Sequence, residues 1–146
     1  MAAFIAFLHH VAAFTLFAAL VVQLINLRGA LTLERARTLQ VADMILGISA
    51  GTLLIVGLLR VFYFEKGYYY YLHSHSFLTK FGLFIALALL SIIPTREFLR
   101  WRSAVQAGQI PAVTEAKLKS VRSIVHYELV GVVLIILMAA LMAKGI

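Results

Sequence analysis

A chain of 146 residues that is 63% hydrophobic and only 13% charged has too little polar surface to cover a water-facing globule, since soluble domains carry about 25% charged residues; the bilayer is its natural solvent, and the length fits one domain. The absence of cysteine excludes disulfides, thiolate metal sites and a cysteine nucleophile. The net charge of +7 would suggest nucleic acid in a soluble protein, but here topology accounts for the bases and no nucleic-acid partner is expected.

A helix needs roughly 20 mostly apolar residues to cross the hydrocarbon, and four segments meet that length. The first covers about 2–27, in MAAFIAFLHHVAAFTLFAALVVQLINL. It reads as a retained helix, because it lacks the basic start of a signal peptide and its apolar run is too long for a typical h-region. His9 and His10 interrupt that run, and Gln23 and Asn26 close it. The first connection carries Arg28, Arg35 and Arg37. The second span covers about 39–64, with Asp43 near its start, Arg60 one turn from its end, and Gly47, Gly51 and Gly57 between. Those glycines read as close-packing positions. Tyr68 to Tyr71 follow. Four tyrosines fit an aromatic belt at the interface, and a pocket wall is the competing reading. His73 and His75 precede the third span, about 76–94, which holds Lys80. The stretch from Ser103 to Thr114, with Gly108 and Pro111, reads as a flexible loop. The fourth span covers about 121–143 and opens on Arg122, His126 and Glu128.

The fold expected is therefore all-α, an integral membrane four-helix bundle. Nine of the thirteen basic residues fall in the first and third connections. The positive-inside bias makes these two basic loops cytoplasmic and sends both termini outward, as in a multi-pass protein of a bacterial inner membrane. Attraction to anionic lipid is part of the same reading.

Ionisable groups inside a span are costly, so each is a site hypothesis. An outer group comprises His9, His10, Arg60, His73, His75 and Lys80. His10 lies about eight residues, or roughly 12 Å, into its helix, and His9 points about 100° away from it. Neutral imidazole is a common ligand for iron, copper and zinc. On this reading His10 supplies an axial nitrogen to a haem, with His73 or His75 as a second metal ligand. Phe14 and Phe17, one and two turns below His10, wall the macrocycle, and Arg60 and Lys80 meet the propionates. The plainer alternatives are interhelical hydrogen bonds for the histidines and snorkelling for Lys80. An inner group comprises Asp43, Arg122, His126 and Glu128, with Gln23 and Asn26 at the end of the first span. These form a proton relay, or a structural network in which Asp43 or Glu128 pairs with Arg122. No glycine-rich phosphate loop and no HExxH motif occurs.

His10 in the first span, Lys80 in FLTKFGLFIALALL, and the fourth-span start KSVRSIVHYELVGVVLIILMAAL resemble a membrane superfamily. It contains the copper resistance D proteins and the HemJ-type protoporphyrinogen oxidases. The matching positions are His10 (or His9), Lys80, and Arg122 with Glu128. Phe17 stands where HemJ-type proteins usually carry a tryptophan, and Leu78-Thr79 where they often show a histidine before the lysine. The resemblance implies a haem b protein that oxidises protoporphyrinogen IX to protoporphyrin IX and passes electrons to a quinone. Lys80, Arg60 and Glu128 would then be its catalytic residues. A copper-handling or transport protein is the alternative, with His9, His10, His73 and His75 as an outer entry site and Met138 and Met142 as thioether ligands for Cu(I). A non-catalytic accessory subunit is a third, and homo-oligomerisation stays open.

Overall fold

A computed structural model describes residues 2–59, 62 and 75–144. All its described elements are helices: α1 (Ala2–Asn26), α2 (Leu33–Leu59), α3 (His75–Leu90), α4 (Ile92–Arg100), α5 (Arg102–Gln106) and α6 (Glu115–Ala143). Four stretches are long and apolar enough to cross a membrane: Ala3–Asn26, Leu33–Leu59, Leu78–Gln106 and Glu115–Leu141. The expected all-α, four-span architecture is therefore present.

Two helix starts lie outside the expected limits, and both have a local cause. Thr32 accepts the Arg35 backbone N–H at 3.1 Å, and Thr114 accepts that of Lys117 at 3.1 Å. Each threonine caps its helix and is followed by an acid in the first turn, Glu34 or Glu115, which suits the helix dipole. Helix α2 thus begins before the apolar run, and Arg35 and Arg37 are helical rather than loop residues. Helix α6 likewise starts ahead of Val121.

The third span also differs from expectation. It does not stop at Pro94 but breaks at Ser91 and resumes as α4. Pro94 has no N–H to give the Leu90 carbonyl, and its ring crowds that carbonyl, so the helix offsets there instead of ending. The chain stays helical through most of 91–106, so Arg96, Arg100 and Arg102 extend the span. The expected loop shrinks to 107–114. Gly108 closes α5 at φ 73°. The Gln109 N–H reaches Ala104 O at 2.8 Å and the Gly108 N–H reaches Val105 O at 3.0 Å, a Schellman arrangement that requires the left-handed conformation glycine allows.

Successive spans run antiparallel. Helix α1 packs on α2, α3 packs on α6, and α1 also meets α6. The core sits toward the basic end, where Leu20, Leu39, Phe98, Trp101, Val121 and Val125 are buried together. No described side chain of α3 is buried, so its faces away from α6 are left to lipid. The glycines redistribute. A Cβ at Gly47 or Gly51 would meet nothing within 4 Å, whereas one at Gly131 would lie 2.7 Å from Leu87. Close helix packing therefore falls on Gly131 of α6 rather than on Gly47 and Gly51.

Candidate functional site

Each span contributes one polar side chain to a cluster near the basic end. Helix α1 buries Ile5, Ala12, Leu16, Ala19 and Gln23, and Leu27 just past its end continues the row, an i, i+3/i+4 stripe facing the other helices. Gln23 lies on that stripe and is 0% exposed. Helix α2 buries Leu39, Ala42 and Leu46 and carries Asp43 among them. Helix α6 buries Val121, Val125, Glu128 and Gly131 at the same helical spacing, which turns Glu128 inward at 4% exposure. Thr95 follows Pro94 on α4.

Asp43 is the hub. Its Oδ1 accepts from Thr95 Oγ1 at 3.0 Å and from Gln23 Nε2 at 3.4 Å, and its carboxylate interacts electrostatically with that of Glu128. Two buried oxygens at this level, Gln23 Oε1 and Glu128 Oε1, have no hydrogen-bond partner among the described residues. Buried acceptors in hydrocarbon are costly when unmatched. A second polar cluster lies closer to the basic end. Glu97, also buried, accepts from Trp101 Nε1 at 2.9 Å and Arg100 at 3.3 Å, with the Lys117 ammonium at 3.8 Å. Glu97 thus has both donors and a cation around it, and this cluster ties the end of α4 to the start of α6.

The expected Arg122 ion pair does not form among the described residues. Arg122 precedes Glu128 by six positions and so faces about 120° away from it around the helix. Its face instead lines a pocket of about 240 Å³ with Leu24, Arg28, Ser123, His126 and Tyr127. Asp43 and Glu128 are thus brought together, and Arg122 and His126 are not part of their cluster.

At the other end the two histidines take opposite faces. His9 is half-buried on the inward stripe of α1, its Cε1 within 3.8 Å of where a Gly57 side chain would begin. His10 is exposed, and Phe14 on its face is 77% exposed. The expectation that His10 and Phe14 line the interior is reversed, because the small residues Ala12 and Ala19 draw α2 onto the His9 face. The two rings meet edge to face with centroids 6.0 Å apart. Phe17 and Lys80 are half-buried. Arg60, Tyr68 to Tyr71 and His73 lie outside the described residues, as do the side chains of His75 and Met142. Among the described residues, no three His, Cys, Asp or Glu side chains converge to hold a metal.

A family model for predicted membrane proteins, DUF2214, matches residues 1–146. The chain belongs to the DUF2214 family. No curated protein and no solved structure matches it. The family description and the four apolar spans of this DUF2214 chain agree that it is a helical membrane protein. Gln23, expected in the inner polar group, joins Asp43 as its spacing from His9, Ala12, Leu16 and Ala19 implies; Thr95 carries no such signal in the sequence, and only the structure brings it to Asp43.

Proposed function

We propose that this chain is a proton-binding membrane protein in which the Asp43–Glu128 pair takes up and releases a proton inside the four-helix bundle. One observation carries the reading: Gln23 Oε1 and Glu128 Oε1 are buried without a donor among the described residues, in a network already drawn around Asp43. Carboxylates only accept, so acceptors exceed donors, and a proton on either carboxyl turns one acceptor into a donor. Intramembrane carboxylates of this kind mark proton and ion paths. With the basic end cytoplasmic, the pair would exchange protons through the inner half of a bacterial inner membrane.

Infrared difference spectroscopy of the full chain in liposomes, stepped from acidic to alkaline buffer, tests this. A carboxylic C=O band that titrates in the wild type and is lost in Glu128→Gln is the expected result. Identical difference spectra for wild type and Glu128→Gln would overturn it. So would a response to sodium with none to pH, which would assign the oxygens to a metal cation.

A second reading is favoured by His9, the imidazole turned inward beside Gly57, together with the resemblance to HemJ-type oxidases. Haem b would supply electron transfer from a porphyrin substrate to a quinone, with His9 rather than His10 as the protein nitrogen and Lys80 and Arg60 at the propionates. Protein purified with adequate haem supply should then show a Soret band that His9→Ala removes and His10→Ala leaves. A colourless protein overturns the reading, and stoichiometric copper without haem would replace it with copper handling.

A further inference from the structure

We infer that the seam between α1 and α6 at the basic end holds the phosphate headgroup of an anionic phospholipid, clamped between Arg28 and Arg122. The pocket of about 240 Å³ there is lined by Leu24 of α1, by Arg28 in the turn just after it, and by Arg122, Ser123, His126 and Tyr127 of α6. No carboxylate lines it. The Arg28 and Arg122 guanidiniums donate to no described residue, whereas Arg35 and Arg100 are both engaged: Arg35 with the Arg28 and Ala30 carbonyls, Arg100 with Glu97. Two open guanidinium forks match the oxygens of a phosphate, and hydroxyl donors at Ser123 and Tyr127 extend the set.

The surroundings select a lipid over a free phosphate. The site lies at the end of the spans where the arginines gather, the level of a headgroup. Tyr127, 64% exposed, brings an apolar ring with a polar tip, as interfacial tyrosines do. Toward the bilayer centre, Val130, Leu134 and Leu137 continue the Tyr127 face at helical spacing and are all exposed. That is an apolar track for an acyl chain directly above a cationic pocket.

Native mass spectrometry of the full chain, extracted in detergent with a mixture of phosphatidylglycerol and phosphatidylcholine, provides the test. The wild type should retain phosphatidylglycerol selectively. Arg28→Gln with Arg122→Gln should weaken retention by on the order of tenfold or more, since charge-assisted hydrogen bonds are lost. Lys119→Gln, a base outside the pocket, should retain it as the wild type does. Should the double glutamine variant fail to fold, Arg28→Lys with Arg122→Lys keeps the charge and removes the forks, and should still lose part of the selectivity. Equal retention of the two lipids by the wild type overturns the proposal, as does wild-type selectivity in the variants. Displacement of the lipid by inorganic phosphate alone would overturn the lipid assignment and leave a site for free phosphate.

Discussion

Gln23 shows how a single side chain organises this interior. Its amide nitrogen donates to Asp43, while its oxygen is buried with no partner among the described residues. Gln23→Leu removes both the bond and the orphan oxygen, and leaves Asp43 with Thr95 as donor. We expect a loss of no more than about 0.5–1.5 kcal/mol, the net worth of one hydrogen bond offset by removal of the orphan oxygen, read from thermal unfolding in detergent, together with a changed carboxylic band in the infrared. Gly131 makes a different point. A Cβ there would lie 2.7 Å from the Leu87 methyls, so Gly131→Ala forces that side chain to turn, at about 1–3 kcal/mol for an overpacked contact. Leu87→Ala in the same chain should recover part of the loss. Simple additivity in that double-mutant cycle would mean the two residues do not compete for space.

At the scale of the element, helix limits here follow caps rather than hydropathy. Thr32 and Thr114 each satisfy a backbone N–H of the first turn. Replacing either by alanine should cost about 1 kcal/mol and raise amide exchange in the first turn of α2 or α6 while leaving the membrane-embedded turns protected. The break at Ser91 belongs to Pro94 by the same kind of local logic. Both signals stand in the sequence, as a threonine followed by an acid and as a proline in an apolar run. A reading by apolar length passes over them, because a cap lies outside the run and a proline inside it resembles an end. The inward faces were legible too. The spacing of small and apolar residues along α1 places His9 inside and His10 outside, although the aromatic residues Phe14 and Phe17 invite the opposite choice. In a membrane, large aromatic side chains are at home facing lipid, and small ones permit helices to approach.

Across the whole molecule, the two carboxylates come from different hairpins, Asp43 from α1–α2 and Glu128 from α3–α6, so their interaction joins the halves of the bundle. Asp43→Asn and Glu128→Gln should therefore be non-additive in unfolding by about 0.5–3 kcal/mol, and an additive cycle would show that the halves do not communicate through this pair. By itself the amino-acid sequence determined the solvent, the number of spans and the gathering of bases at one end, because these depend on composition and on the length of apolar runs. It also named Asp43 and Glu128 as residues of interest, since a charge in hydrocarbon stands out one residue at a time. Only the tertiary structure decided that Gln23 and Thr95 complete their cluster and that Arg122 turns away from it toward Arg28. Which side chains meet depends on how four helices are rotated about their axes. A rotation of one residue's worth, about 100°, exchanges one set of neighbours for another without changing hydropathy at all.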